Sequence, residues 1–495
     1  MLLSCGSTCS AEIRSVLCGC SIICDANTRV TKRCSRHWLK CWVKLASISP
    51  HLLGRPRWVR RQASPAQASL VRARRSPKGI RSGRPVASQA DHRPDHRPRK
   101  KLFGRQAEMA FNAFDAAAML RAIELARLGE GHVEPNPMVG AVIASGGTGA
   151  EIIAAGWHGR FGKAHAEIAA LASAGAAAHG ATLYVTLEPC CHHGQTPPCT
   201  SAIIAAGIRR VIVATSDPFP AVNGGGIAAL QAAGITVEVG LHAQEARRIT
   251  APFCKLIREK KPWVIAKWAM SLDGCMATDE PESRWISSLE SRALVHQLRG
   301  RMDAIIVGIG TALADNPLLT ARPAGPRQPL RIVLDSHARL PLTSQLVQSA
   351  RAIPVLVAVG PDAPAEQLIA LKRAGCEIWL GHSHQPSQCL PSLLVELGLR
   401  RQTNVLVEGG PTLLRSLFDN ESIDEVWAFI APKIIGSSAG VGAGVGPDVG
   451  PDVGPDVGQR HAPLFDAPLL DIEHVSHPGD DIFIRGLVRT SEPKW

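Results

Sequence analysis

The sequence predicts an α/β protein, with two domains of mixed helix and strand behind a basic extension that builds no core. Three observations predict it. At 495 residues the chain exceeds what one ordinary core organises. From Asp115 to Ala431, short runs rich in Val, Ile, Leu and Ala alternate with stretches of helical period. That alternation is the mark of a largely parallel sheet covered by helices. Before Met109 the alternation is missing and the composition changes.

The formal charge of +13 joins two unlike parts. Residues 1–108 carry 23 Lys and Arg against 5 Asp and Glu, which leaves 32 against 37 for residues 109–495. The body is mildly acidic, so no nucleic-acid surface is expected on 109–495. The extension is rich in Arg, Ser, Pro and Cys, repeats Asp-His-Arg-Pro at Asp91–Pro94 and Asp95–Pro98, and is expected to be disordered. Such a segment reads as a transit peptide, a nucleic-acid tail, a Cys/His metal segment, or sequence upstream of a true start at Met109. Seven of the 14 cysteines lie in it, and those of the body show no disulfide-framework spacing. A reducing compartment is expected, cytoplasmic unless the extension directs the chain to an organelle. No apolar run of about 18 residues exists, so no membrane partner is expected. A homo-oligomer is neither required nor excluded.

Taken in order, Asp115 is expected as the N-cap of a helix in which Met119, Leu120, Ile123 and Ala126 share a face, with Gly129 as its stop. A Pro/Asn loop leads to a strand over Val139–Ala144, paired as a hairpin with Glu151–Gly156. A helix opens at His165-Ala166-Glu167, and a strand over Thr182–Leu187 runs into Glu188-Pro189-Cys190. A helix from Thr200, a strand over Arg210–Ala214, a helix over Ile227–Ala233 and a strand over Ile235–Val239 complete the first layer. Residues 241–261 are expected as a helical linker.

The stretch from His165 to Cys199 carries the chemistry. One His and two Cys hold zinc in the zinc nucleobase deaminases, and a Glu that is not a ligand shuttles protons. His165, Glu167 and Cys190 follow that order. Three protein ligands leave a fourth position for water, whose pKa zinc lowers to about 7. His165 and Glu167 lie about 200° apart on an ideal helix, so both reach one site only if His165 sits before the helix proper. The usual signature closes with P-C-x-x-C, whereas eight residues separate Cys190 from Cys199. Cys191, His192 or His193 therefore competes with Cys199 for the last ligand place. A disulfide or a pair of buried thiols is the plainer alternative for the cysteines, though not for their combination with H-x-E.

One family resolves the choice. Asn136-Pro137-Met138-Val139-Gly140, His165-Ala166-Glu167, Thr186-Leu187-Glu188-Pro189-Cys190 and His192-His193-Gly194-Gln195-Thr196-Pro197-Pro198-Cys199 resemble the deaminase half of the bifunctional riboflavin-biosynthesis deaminase–reductases. The second half begins at Pro262. There Ala266–Gly274, Ser283–Ser287, Thr311–Arg322, Asp335-Ser336 and Glu408–Leu413 resemble the reductase half. Strands over Ala304–Gly308, Arg331–Asp335, Val355–Val359, Glu377–Leu380, Val405–Glu408 and Glu425–Ala431 agree with a mostly parallel sheet. The resemblance implies a cytidine-deaminase-like three-layer domain over 109–240 and a dihydrofolate-reductase-like domain over 262–495. A low-complexity Gly-Pro-Asp-Val insertion at 440–458 interrupts the second.

In that family His165, Cys190 and Cys199 hold Zn2+ and Glu167 is catalytic, while Asn136, His158, His192 and Asn223 touch the pyrimidine or its ribose phosphate. The cofactor is NADPH. Its expected contacts are Ala269, Trp285, Thr311, Asp315, Ser336, Gly410, Pro411, Thr412, Leu413, Leu414, Arg415 and Ser416. Ser283, Arg299, Leu319, Arg322 and Glu408 are the expected substrate contacts, with the two arginines suited to phosphate. The partner implied is a small ribosylaminopyrimidine phosphate. Two rivals remain: a nucleic-acid base deaminase anchored by its basic tail, and a zinc-stapled nucleic-acid-binding protein, which needs four closed ligands.

Overall fold

The computed structural model describes residues 111–146, 150–194, 197–276, 285–436 and 468–489. The extension 1–108, Met109, Ser283 and the 440–458 tract lie outside the described residues.

Helix α1 (Ala113–Arg127) starts one turn earlier than the sequence suggests. Asn112 is its N-cap, accepting from the Asp115 amide, while Asp115 accepts back from the Asn112 amide. This is a capping box, and Asp115 is its third helical residue rather than its cap. Tertiary contacts hold Asp115 there. Its carboxylate also accepts from Tyr184 Oη at 2.7 Å and pairs with Arg210 at 2.8 Å.

Strands β1 (Gly140–Ala144) and β2 (Ile152–Trp157) form the expected antiparallel hairpin. Helix α2 (Ala166–Ala174), β3 (Thr182–Val185), α3 (Cys199–Ala205), β4 (Arg210–Val213), α4 (Gly225–Ala232) and β5 (Thr236–Val239) follow. The sheet order is β2-β1-β3-β4-β5, parallel from β3 onward. Alternating side chains supply two cores. Ala141, Ile143, Leu183 and Val185 pack on α2, α3 and α4, while Val142, Tyr184 and Ile212 pack on α1. The result is a three-layer α/β/α arrangement, as expected. Gly140 permits its close packing, because a Cβ there would collide with the Ala122 carbonyl of α1.

Helix α5 (Ala243–Glu259) was expected as a linker and is also a packed layer. Ala246 and Ile249 join the first core, Ala251 joins a core of the second half, and Lys255 pairs with Asp424 at 2.5 Å.

The second half comprises β6 (Trp263–Ser271), α6 (Leu289–Arg299), β7 (Ala304–Gly308), α7 (Ile309–Asp315), β8 (Leu330–Leu334), α8 (Gln345–Gln348), β9 (Val355–Val359) and α9 (Ala365–Ala374). Then come β10 (Glu377–Leu380), α10 (Pro386–Leu399), β11 (Asn404–Val407), α11 (Pro411–Asp419), β12 (Glu425–Ala431), β13 (Leu470–Ser476) and β14 (Ile482–Val488). Their sheet runs β10-β9-β8-β7-β11-β6-β12-β14-β13, parallel as far as β12 and antiparallel at its last two pairings. Helices cover both faces. Leu390, Leu393, Leu413 and Leu417 meet Ala266, Ile306 and Val407 on one, and Val295, Leu298 and Leu371 share the core with Ile305, Val307 and Leu406 on the other. Among the described residues no helix is long and apolar enough to cross a membrane.

Candidate active sites

At the first centre, His165 precedes α2 with extended backbone (φ −71°, ψ 163°). That is the geometry that lets its imidazole and the Glu167 carboxylate approach one place. Cys190 lies in the loop after β3, and Cys199 is the first residue of α3. Nδ1 of His165 is 3.2 Å from Cys199 Sγ and 3.6 Å from Cys190 Sγ, and the three ligand atoms lie within 4.8 Å of one another. Ligands at zinc bond lengths in a tetrahedron sit about 3.5 Å apart, so this donor set fits the ion. Cys191 lies outside the group, its Sγ directed at the Ala221 carbonyl at 3.7 Å. The His192 ring lies tilted beside Phe219, 5.7 Å between ring centroids, with Nδ1 buried and unpartnered.

The electrostatics agree with that geometry. The hydrogen bond from Cys199, with help from His165, holds the Cys190 thiol down to about 4. The same hydrogen bond, together with burial and the Glu167 charge, pushes Cys199 far up. Two thiols thus compete for one negative charge, a conflict that a divalent cation removes. The Cys190 hydrogen bond raises His165. Glu167 is 3% exposed, and burial pushes its carboxyl up to about 6.

His158 is buried, and burial lowers its pKa. Its Nδ1 lies 3.0 Å from the Ala164 carbonyl, its Nε2 3.5 Å from Asn136 Nδ2, and its ring 5.4 Å from that of His165. Asn136 and His158 therefore stand beside the ligand group. Asn223 is exposed in the loop before α4. That loop is fastened by Glu188, whose carboxylate accepts from the amides of Asp217, Gly224, Gly226 and Ile227. The reading of the sequence gave Glu188 no role of its own; its place between a strand end and Pro-Cys was the available signal.

The second centre lies at the carboxyl ends of the parallel strands, where such sheets bind ligands. Arg299, ending α6, grips Glu408 just past β11 through Nε at 2.6 Å and Nη2 at 2.9 Å. Both were expected at the substrate, and they form a bidentate pair with each other. Lys267 joins them, its Nζ 4.0 Å from Glu408 and 5.9 Å from the Phe429 ring centroid. Burial lowers its pKa. Lys267 was not among the expected contacts; a lysine inside the apolar run of β6 was the available signal.

Thr311 and Asp315 lie on α7, and Ser336 follows β8, its hydroxyl donating to the His384 carbonyl at 2.7 Å. Gly410 caps α11, and a Cβ on it would stand 3.8 Å from Thr311 Oγ1. Pro411, Thr412 and Arg415 are exposed, whereas Leu413 and Leu414 enter the core and Ser416 bonds back to the Thr412 carbonyl. Ala269 lies on β6, and Leu319 is buried with φ +53°. Trp285 has φ +82° and lies under the Arg292 guanidinium at 4.6 Å, while Arg322 is exposed.

Known proteins resemble both halves of the chain. Residues 113–215 match the family model of the cytidine and deoxycytidylate deaminase zinc-binding region, and residues 262–449 match the RibD C-terminal domain. The riboflavin biosynthesis protein RibD of Aquifex aeolicus is 40% identical over 328 residues, covering 66% of this chain and 89% of that protein. That of Escherichia coli is 37% identical over 388 residues, covering 74% and 98%. The solved structure of Acinetobacter baumannii RibD superposes with a TM-score of 0.64 at 33% identity, covering 76% of this chain and 99% of that one. A diaminohydroxyphosphoribosylaminopyrimidine deaminase/5-amino-6-(5-phosphoribosylamino)uracil reductase from Thermotoga maritima gives 0.62 at 33%, with the same coverage.

Proposed function

The chain belongs to the RibD family of bifunctional deaminase–reductases, and from that premise we propose how its two centres divide one task. The first, within 109–240, deaminates 2,5-diamino-6-(5-phosphoribosylamino)pyrimidin-4-one. The second, within 262–495, reduces the ribosyl chain of the product to ribityl. The observation that carries the reading is the convergence of His165, Cys190 and Cys199 beside buried Glu167.

His165, Cys190 and Cys199 would hold zinc, which when bound supplies Lewis-acid activation of water. Glu167 takes one proton from the attacking water and gives it to the ring nitrogen, then carries the proton of the new hydroxyl to the departing amine. Water enters, ammonia leaves, and the ring carbon becomes a carbonyl. A carboxyl held near 6 suits both directions of transfer. Asn136, His158 and His192 line the pyrimidine's place, with Asn223 over it.

In the second half NADPH would supply hydride to the open-chain ribose carbon. The amino end of α11 from Gly410 to Thr412, with Thr311 and Ser336, supports cofactor binding, since helix amino termini attract phosphate. Arg322 has an exposed guanidinium for the substrate phosphate. Arg299 keeps Glu408 ionised, and Lys267 beside it can give the proton that accompanies hydride. The chain would act in the cytoplasm on a small molecule, with no nucleic-acid partner for 109–495; a homo-oligomer is compatible with this reading.

The test supplies the purified chain with the ribosylaminopyrimidine phosphate and NADPH, following ammonia and NADPH separately. Ammonia release must not need NADPH, and NADPH oxidation must need the deaminated product. No ammonia from a zinc-loaded chain would end the reading.

A further inference from the structure

The loop after α1 carries Asn136 to the first centre, yet much of what holds this loop belongs to the second half. Glu134 is 6% exposed. Its Oε1 accepts from the Gly131 amide at 2.9 Å, and its Oε2 lies 3.4 Å from Arg327 Nη1, which also donates to the Glu134 carbonyl at 3.3 Å. The other arm of Arg327 reaches Asp303 Oδ1 at 2.5 Å, and Asp303 is itself fixed by the amides of Thr403 and Asn404 at the start of β11. Upstream, Arg301 donates to Glu130 at 2.6 Å. Gly131 has φ +78° and lies so close to the second half that a Cβ would stand 2.9 Å from Pro326. The loop also borders a cavity of about 510 Å³ whose walls include Glu130, Glu134, Asn136, Arg301 and Thr403. Ion pairs therefore join this loop to the second half.

Arg301, Asp303 and Arg327 stand before β7 and β8, at the amino ends of the strands. Glu408, Ser336 and Thr311 stand at the opposite ends. Hydride transfer has no use for the first group.

We infer that Arg327, in the reductase half, is a positioning residue for deamination, acting through Glu134 to hold Asn136 against His158. The inference rests on the reading of Asn136 as a substrate contact. The Asn136 backbone amide donates to the Val133 carbonyl and its side-chain Nδ2 lies 3.5 Å from His158 Nε2. Glu134 stands next to Val133 in the same turn, so a shift of Glu134 is passed along the chain to Asn136. Arg327 answers two buried carboxylates with one guanidinium. A lysine supplies the charge but not the two-armed geometry.

The experiment uses the full zinc-loaded chain and compares Arg327→Ala, Arg327→Lys and Asn136→Ala. Deamination is followed by ammonia, and reduction is measured on supplied deaminated intermediate. Arg327→Ala is expected to raise KM for deamination about tenfold with kcat within about twofold, the loss of roughly one positioning hydrogen bond. Reduction and zinc content stay at wild-type values, and Arg327→Lys recovers part of the KM. A KM unchanged in Asn136→Ala would remove the reading of Asn136 and the inference with it. A KM raised in Asn136→Ala but unchanged in Arg327→Ala would overturn the inference alone. Equal loss of both activities in Arg327→Ala would show a merely structural role. Should that variant fail to fold, Glu134→Gln replaces it. It keeps the side chain's size, and a KM for deamination raised about threefold, with reduction intact, would support the inference; an unchanged KM would overturn it.

Discussion

Around the first centre the proposed ligands and proton carrier, His165, Glu167, Cys190 and Cys199, lie in a single short stretch of chain, and metal and proton chemistry calls for those residue types. Around the second, Lys267, Arg299, Glu408 and the start of α11 come from distant elements, and of the expected contacts Leu413 and Leu414 have side chains buried in the core. A metal needs particular donor atoms, so its site leaves a mark in sequence. A cofactor that carries its own reactivity needs shape, amides and a few charges, which many sequences supply. The two halves differ in how much of their chemistry side chains must perform.

The comparison predicts unequal sensitivity to substitution. The largest effect is expected at the ligands. Cys190→Ser or Cys199→Ser should lose zinc and essentially all ammonia release, whereas Cys191→Ser, whose Sγ is directed at Ala221, should keep both. Metal content per chain decides it, and equal zinc loss in Cys191→Ser would reverse the ligand assignment.

Next comes Glu167→Gln. The amide keeps size but cannot accept the water's proton, so ammonia release should fall about 10² to 10⁴-fold with zinc retained. Reduction of supplied intermediate should survive, because the second centre draws no residue from α2. If it stopped, the contrast between two separate centres would be wrong.

Arg322→Ala is expected to be milder and opposite in sense. Removing one charge-assisted phosphate contact costs about 1.5–3 kcal/mol, or roughly ten- to a hundredfold in KM for reduction. Ammonia release should be untouched. A variant with unchanged KM would leave the substrate phosphate to other residues.

Legibility followed the same contrast. The strands β7, β9, β10 and β12 were readable to the residue, because their apolar residues are bounded by polar residues, proline or glycine. The cap of α1 was misplaced by three residues because Asn112 and Asp115 are both capping types. Only the Tyr184 and Arg210 contacts, remote in sequence, show which is the third residue. Spacing left Cys191, His192, His193 and Cys199 as alternatives; the family resemblance pointed to Cys199, and the fold brings its Sγ to 3.2 Å from His165 Nδ1. The Arg327–Glu134 and Arg301–Glu130 pairs join the two halves across long separations. No local pattern announces such pairs, since surface arginines look the same in sequence whether solvated or spent on a partner.

That boundary supplies the smallest expected effect and the sharpest test of whether the halves are independent. Burial pushes the Glu134 carboxyl up to about 7 from 4.5, against the attraction of Arg327 and with the repulsion of Asp303. A raised folded-state pKa means the native chain holds this proton more tightly than the unfolded one. The stabilisation from Glu134 is therefore fully present below about 4.5, and it is lost as pH rises through about 7. At 1.36 kcal/mol per unit, the loss by pH 8 is at most about 3 kcal/mol. Glu134→Gln carries no charge to desolvate, so it should lack this decline. Melting temperatures of the two chains between pH 5 and pH 8 should diverge, with wild type falling further. Curves that stay parallel would show that Arg327 fully compensates the buried charge, and the contact between the halves would then be indifferent to pH.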